Sequence, residues 1–180
     1  MIALIKIARR VLCLCMAAGV AFSTFGETPE ERENALKAGF IYNFFSYIEW
    51  PQKSEQSGPF VVGIVGNDSY DAVVAALAGK SVKGRRIEVR KVGDLSRLEG
   101  YHLVFVSASE QARLRQILDQ TRNAAILTVG ESAGFTREGG IINLVPSRNR
   151  FQLEINPAAA EKAGLTISSQ LLKLARIVGS

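Results

Sequence analysis

Three continuous apolar segments constrain the fold of this chain more than any other feature of its sequence. They are FVVGIVG (Phe60 to Gly66), HLVFVSAS (His102 to Ser109) and AAILTVG (Ala124 to Gly130). Strands without a polar face lie in sheets that helices cover on both sides, and such sheets are largely parallel. Helical patterns separate the three segments, as parallel connections require. The sequence therefore predicts an α/β fold with a largely parallel, Rossmann-like sheet flanked by helices.

The remaining segments complete this prediction. The turn Pro146 to Asn149 joins two adjacent strands and predicts an antiparallel C-terminal hairpin. Asn156 and Pro157 supply the N-cap and first residue of a short helix, and Ser168 supplies the N-cap of a terminal helix. The predicted helices are Glu30 to Ile48, Asp71 to Ala78, Glu110 to Thr121, Pro157 to the terminating Gly164, and a last one carrying Leu171, Leu172, Leu174, Ala175 and Val178; the other predicted strands are Arg86 to Val92, Ile141 to Val145 and Arg150 to Ile155.

The first 26 residues have the composition of a secretory signal peptide. Three basic residues precede the apolar segment Val11 to Phe22, and small residues follow it. That segment is shorter than the ~20 residues that a membrane-spanning helix needs, so export is favoured over anchoring. We predict cleavage near residues 21–26, a single domain over residues 27–180 and a periplasmic location.

The composition of the mature segment excludes several classes of protein. Cys13 and Cys15 both lie in the predicted signal, so the exported domain has no disulfide and depends on its core for stability. Three of the 22 basic residues and none of the 17 acidic residues lie there too, so the formal charge falls from +5 to +2. No basic run with interleaved aromatic residues remains, and we predict no nucleic-acid partner.

Catalytic and metal-binding patterns are absent from the sequence. His102 is the only histidine, and it begins an apolar strand, where a structural role is more common than a catalytic one. The chain has no HExxH, no GxSxG and no acidic calcium loop. The nearest carboxylate pair, Asp68 and Asp71, is placed to cap a helix. We predict no catalytic residue, no metal and no cofactor, and hence a protein that is not an enzyme.

A small-ligand site has one basis in the sequence. The apolar strands end in turns of small polar residues, and ligands of open α/β sheets bind at the carboxyl ends of the strands. Helix N-termini at that edge offer free N–H groups to anions. Such a site would use Asn67, Asp68 and Ser69, with Arg148 and Arg150 adding contacts to a carboxylate or phosphate. The alternative is that these turns only connect and cap, since the chain has no GxGxxG fingerprint.

The first predicted helix has more apolar surface than one packing face needs. Its aliphatic and aromatic side chains cover about half of its circumference at ~100° per residue, and Tyr42 and Trp50 lie outside that arc. Either the helix is enclosed between the sheet and the C-terminal helix, or part of it forms a protein interface, where large aromatic residues are common. The sequence leaves both alternatives open.

Successive blocks of the mature chain resemble the YfiR/HmsC family. The most specific are GGIINLV (Gly139 to Val145), RFQLEIN (Arg150 to Asn156) and AGLTISSQLL (Ala163 to Leu172). The resemblance covers almost the whole mature chain. The remaining blocks are KAGFIYNFFSYIEWP, FVVGIVGNDSY, AGKSVKGRRIEVRKV, HLVFVSASE and ILTVGESAGFTREGG, in the order in which they occur.

The resemblance implies regulation by binding. Members of this family are periplasmic and repress an inner-membrane diguanylate cyclase by contacting its periplasmic sensor domain. Repression lowers cyclic-di-GMP, and with it the production of biofilm and exopolysaccharide. An OmpA-like outer-membrane lipoprotein can sequester the repressor, and family members are expected to form homodimers. The alternative function is a periplasmic small-ligand (anion) sensing module of another signalling or receptor system.

The resemblance also indicates where a partner would bind. Relatives often carry a cysteine before the HLVF strand, but this position is Tyr101 here, so a redox-sensing role does not transfer. The C-terminal block is the part of the family associated with partner binding, and core packing is the alternative role for its apolar residues. The predicted partner-binding residues are Phe151, Glu154, Leu165 and Ile167 from that block, with Tyr42 and Trp50 from the first helix.

Overall fold

The computed structural model describes residues 28–51, 58–67, 70–147 and 150–179, and at Arg150 it describes the backbone alone. The predicted signal peptide at residues 1–26 lies outside the described residues, as do Asp68, Ser69 and Arg148. No helix in the described ranges is both long enough and apolar enough to span a membrane.

Helices and short strands alternate along the chain, as the sequence predicted. The first helix begins with a capping box, in which Thr28 and Glu31 each accept a hydrogen bond from the other's backbone N–H. The elements in chain order are α1 (Pro29–Tyr47), β1 (Ile48–Glu49), β2 (Phe60–Val65), α2 (Tyr70–Leu77), β3 (Ser81–Val82), β4 (Arg85–Lys91), β5 (Leu103–Val106), a 3-10 helix (Ala108–Arg113), α3 (Leu114–Thr121), β6 (Leu127–Gly130), β7 (Ile142–Ser147), β8 (Arg150–Ile155), α4 (Pro157–Lys162), β9 (Thr166–Ile167), α5 (Ser169–Leu172) and β10 (Ala175–Ile177).

One sheet of eight strands forms the centre of the fold, in the spatial order β10-β8-β7-β6-β5-β2-β4-β3. Strands β4, β2, β5, β6 and β7 run parallel to one another. Strand β8 is antiparallel to β7, with Ile155 opposite Ile142, and β10 runs parallel to β8. The predicted α/β fold with a largely parallel sheet and an antiparallel β7–β8 hairpin is therefore confirmed. Strands β1 and β9 form a separate antiparallel pair.

Apolar packing covers both faces of the sheet, because successive strand residues point to opposite sides. Val62 and Ile64 of β2 join one core with α1 and α2, and we call this side the α1 face. Val104 and Val106 of β5 join a second core with α3, on what we call the α3 face. Two-sided burial is the reason that these strands lack a polar face.

The predicted terminal helix is wrong beyond Leu172. Helix α5 is a single turn capped by the Ser168 hydroxyl, and Ala175 to Ile177 then form β10. Strand β10 pairs with residues 153–155 of β8, whose backbone groups on that side would otherwise lack a partner in the sheet. The apolar pattern fits either structure, so long-range pairing decides between them.

The start of the third predicted helix also differs from expectation. Residues Ala108–Arg113 form a 3-10 helix, and α-helical geometry begins only at Leu114. None of the residues in this 3-10 helix is buried, whereas Leu114, Ile117 and Leu118 of α3 are. An amphipathic pattern predicts the buried stretch well, but it does not specify the geometry of an exposed turn before it.

Candidate partner-binding surface

One side of helix α1 is buried, and Trp50, which follows the helix, belongs to the core. Trp50 is 7% exposed, and its ring stacks on Phe45 with 5.5 Å between centroids. Its indole Nε1 donates a hydrogen bond of 3.1 Å to the carbonyl of His102. For Trp50 the structure favours the packing alternative, so any influence of this residue on a partner acts through the position of α1.

His102 makes contacts typical of a structural histidine. Its Nδ1 accepts a hydrogen bond of 3.1 Å from the backbone N–H of Val61. Its ring lies edge-on to Phe60, with 5.1 Å between the ring centroids. The Arg85 guanidinium lies over the Phe60 ring, with 3.8 Å between its Cζ atom and the ring centroid. These contacts join β2, β4 and β5 at their amino ends.

Three of the predicted partner-binding residues are half-buried and already packed. The Tyr42 hydroxyl donates to the carbonyl of Ser81 at 3.1 Å. Phe151 meets Phe40 edge to face, with 6.0 Å between centroids. Ile167 lies opposite Ile48 in the β1–β9 pair. Each of these three side chains is partly exposed to solvent, and its remaining surface packs α1 or β1 against the sheet or against β9.

Glu154 lies away from the other predicted residues. Its neighbours in β8, Leu153 and Ile155, belong to the α1 face, so Glu154 points to the α3 face. It is 7% exposed, accepts a hydrogen bond of 3.2 Å from the Thr136 hydroxyl and forms an ion pair with Arg176. Leu165 is also buried, at 5% exposure. The predicted residues therefore do not form one continuous exposed surface.

Two exposed apolar residues were missed at the sequence level. Leu174 is 73% exposed and Ile177 is 51% exposed, in and beside the edge strand β10. No described strand pairs with the outer side of β10. We call Leu174 and β10 together the C-terminal edge. The sequence signal for it was present as a short apolar segment, but the prediction placed Leu174 in a terminal helix and did not single out Ile177.

The carboxyl ends of β5 and β6 hold a buried ion pair. Lys37 of α1 lies 2.7 Å from Glu131, which follows β6, and their side chains are 7% and 6% exposed. Glu131 Oε1 also accepts the backbone N–H of Ala108 at 3.1 Å, at the start of the 3-10 helix. The chain's own carboxylate thus takes the N–H group that an anionic ligand would use there.

The protonation of Lys37 follows from these contacts. Burial lowers the pKa of Lys37, but hydrogen bonds from its ammonium group to Glu131 and Glu33 outweigh burial and raise that pKa above its ordinary 10.5. The distance from Lys37 Nζ to Glu33 is 2.9 Å. Lys37 is therefore charged at neutral pH, and its contact with Glu131 links α1 to the carboxyl edge of the sheet.

The predicted ligand-binding residues lie mostly outside the described part of the chain. Asn67 is exposed at the end of β2, while Asp68, Ser69 and Arg148 are among the residues not described. For Arg150 the backbone alone is described, in β8. The ligand site at these residues stays a prediction.

A cavity of about 380 Å³ nevertheless lies near the carboxyl ends of β6 and β7. Ser132 and Asn143 line it, and Ser132 Oγ and Asn143 Oδ1 are buried without a hydrogen-bond partner among the described residues. Buried polar atoms usually have a partner, so an ordered water or a small ligand is the expected complement. No three described His, Cys, Asp or Glu side chains lie together in a way that could hold a metal ion.

An exposed edge strand with apolar side chains is a surface through which proteins bind extended segments of other chains. The chain belongs to the YfiR/HmsC-like family, whose model matches residues 34–176. Members of this family are periplasmic regulators of diguanylate cyclase signalling and not catalysts.

Two solved structures share the fold at low sequence identity. A conserved domain protein from Vibrio cholerae O1 biovar El Tor matches 80% of this chain and 59% of its own chain, at 12% identity and a TM-score of 0.57. The ABC domain from Streptococcus pneumonia in complex with L-Trp matches 81% of this chain and 60% of its own, at 11% identity and a TM-score of 0.55. The chain therefore spans about three-fifths of either structure. None of the curated proteins compared with it matches the sequence.

Proposed function

We propose that this protein is a periplasmic negative regulator that binds the periplasmic sensor domain of an inner-membrane diguanylate cyclase. Binding lowers cyclic-di-GMP, and the production of biofilm and exopolysaccharide falls with it. The observation that carries the proposal is membership of the YfiR/HmsC-like family over residues 34–176. Residues 27–180 act as a single domain, exported by a signal that is cleaved near residues 21–26.

Repression in this proposal is a shift between two conformations of the cyclase. A regulator that binds the inactive conformation more tightly than the active one raises the inactive population by its difference in affinity. It needs no catalytic group, only a surface that distinguishes the two conformations. An OmpA-like outer-membrane lipoprotein that binds the same regulator would release the cyclase by mass action. We also propose that the regulator is a homodimer.

The C-terminal edge is the surface that we assign to the cyclase. Leu174 and Ile177 are exposed large apolar side chains, and a solvent-exposed edge strand can pair with an extended segment of a partner. This edge continues the C-terminal block from which Phe151, Leu165 and Ile167 were predicted. Those three residues hold the block in place, and Leu174 and β10 make the contact.

Deleting the gene is expected to raise cellular cyclic-di-GMP, because an unrepressed cyclase is more active. Expression of the full chain restores the level, whereas expression of residues 27–180 without the predicted signal leaves it raised. Cyclic-di-GMP measured in extracts of the three strains checks this. An unchanged level after deletion, or restoration by the form without a signal, would contradict a periplasmic repressor.

Substituting Leu174→Asp is expected to abolish repression while leaving the fold intact. The side chain is 73% exposed, so the effect on the free energy of unfolding stays within about 0.5 kcal/mol. A charge at the centre of an apolar contact weakens binding by about tenfold or more. The readouts are thermal unfolding of the purified protein and cyclic-di-GMP in the complemented deletion strain.

Leu36→Asp is the matched control. Leu36 is also an exposed large apolar residue, at 41%, but it lies in the first half of α1 and is not part of the C-terminal edge. It should repress like the wild type. If Leu174→Asp represses normally, or if both variants fail equally, the C-terminal edge is not the binding surface.

A small-ligand sensing module is the second candidate function. The cavity beside Ser132 and Asn143 is the observation that favours it, since two buried oxygen atoms there have no hydrogen-bond partner among the described residues. In this case the gene deletion leaves cyclic-di-GMP unchanged, and screening small polar molecules against the purified protein yields a saturable ligand.

A further inference from the structure

A second cavity, of about 390 Å³, opens at the amino ends of β6 and β7, opposite the edge where the sequence predicted a ligand. Thr128 of β6 lies at its base, and Ile141 and Asn156 lie beside it. Segments after α3, between β6 and β7, and along α4 form its walls. We call it the basic cleft, because arginine and lysine side chains line it.

Three cations from three separate segments line the basic cleft: Arg122 after α3, Arg137 in the β6–β7 connection and Lys162 in α4. Arg122 is paired with Asp119 at 2.6 Å. Within the described part of the chain, Arg137 and Lys162 have no ion-pair partner. Glu138, the acidic residue of the lining, is itself paired with Arg115 at 3.2 Å. The cleft therefore keeps a positive charge that these neighbours do not neutralise.

The base of the cleft offers a polar group suited to an anion. The Thr128 side chain is buried, and its Oγ1 accepts the backbone N–H of Ile141 at 3.0 Å. A threonine hydroxyl also carries one hydrogen to donate, and no described acceptor takes it. Two cations and a hydroxyl donor at one concave site match the oxygen atoms of a small anion.

We propose that the basic cleft binds a small anion with at least two negative charges, carried by phosphate groups or by several carboxylates. Its volume lies within the range of roughly 300–1,000 Å³ that small-molecule sites occupy. Charge alone on a convex surface is screened by salt, but cations that converge on a concave site act together on one ligand. Anion binding is measured on the purified protein alone, so its outcome does not depend on repression of a cyclase.

Titration calorimetry at low ionic strength, with pyrophosphate and citrate as separate probes, tests the proposal. We expect saturable one-site binding of at least one probe. Each lost charge-assisted contact weakens binding by about tenfold, so Arg137→Gln with Lys162→Gln weakens it by about a hundredfold. Pyrophosphate binding alone indicates a phosphate ligand, and citrate binding alone indicates a carboxylate ligand.

The control is Lys91→Gln with Arg97→Gln, which removes the same charge from exposed positions in and after β4 that do not line the cleft. It should change the affinity by about twofold at most. Thermal unfolding of both double variants shows whether they fold like the wild type. The assignment is overturned if neither probe binds saturably, or if the two double variants weaken the affinity for the anion equally.

Discussion

Replacing Glu131 with glutamine is expected to lower the free energy of unfolding by about 3 kcal/mol, as observed when one partner of a buried ion pair is removed. The glutamine Oε1 still accepts the N–H of Ala108, so the substitution removes mainly the charge opposite Lys37. Lys37 keeps Glu33, but the side chain of Glu33 is 47% exposed and compensates only in part. Denaturant unfolding measured by circular dichroism checks the value.

A double-mutant cycle with Lys37→Met separates this ion pair from the other contacts of the two residues. The variant Lys37→Met with Glu131→Gln should recover more than half of the stability lost by Glu131→Gln, because no unpaired charge stays buried. If the losses of the two single variants simply add, Lys37 and Glu131 are not coupled, and their ion pair does not contribute the expected stability.

The dependence on pH has a definite sign. The folded-state pKa of Lys37 is raised above 10.5, so the pair's contribution is fully present below pH 10.5 and is lost as the pH rises through the folded value. The stability difference between wild type and Glu131→Gln should therefore stay constant from about pH 6 to pH 9 and narrow above 10.5. A difference that already narrows near neutral pH would contradict a charged Lys37 in the folded state.

Replacing Gly140 with alanine is expected to cost about 3 kcal/mol through overpacking. The Phe135 ring is fully buried, and a Cβ at Gly140 would lie 2.1 Å from its Cε1. Gly130 encloses the same ring, since a Cβ there would lie 2.3 Å from Phe135 Cδ2. The ring therefore has no free space to move into. Denaturant unfolding checks the loss, and Phe135→Leu in the Gly140→Ala background should restore part of it.

Gly39→Ala is the matched control, with the opposite sign expected. Gly39 lies inside α1, and nothing lies within 4 Å of the Cβ that alanine would add. Alanine in a helix interior is favoured over glycine by about 0.5–1 kcal/mol, so this variant should be more stable than the wild type. If Gly140→Ala has the same small effect as Gly39→Ala, Phe135 is not held between the two glycines.

The central fold could be predicted because local patterns and long-range pairing agree there. The segments at β2, β5 and β6 are apolar on both faces, which only a sheet covered on both sides accommodates. The hairpin β7–β8 was predictable from its turn. The residues of β10 were assigned to a helix because a short apolar pattern fits both structures, and only pairing with β8 selects the strand.

The candidate binding surface was less predictable, since exposure depends on what packs over a residue. Tyr42 and Trp50 look alike on a helical wheel, yet Trp50 is buried against Phe45 while Tyr42 stays half-exposed beside Ser81. Leu174 looks like a core residue in the sequence and is 73% exposed in the structure. Apolar character indicates that a residue tends to be buried, but not which element packs over it.

The fold class, the helix caps at Asn156 and Ser168, and the family could be read from the sequence, because they depend on local pattern and on the order of blocks. Tertiary structure alone decided the pairing of Lys37 with Glu131, the open edge at β10 and the convergence of Arg137 and Lys162 on one cleft. These features join residues far apart in the chain, and no local pattern specifies a contact whose partners are brought together only when the sheet assembles.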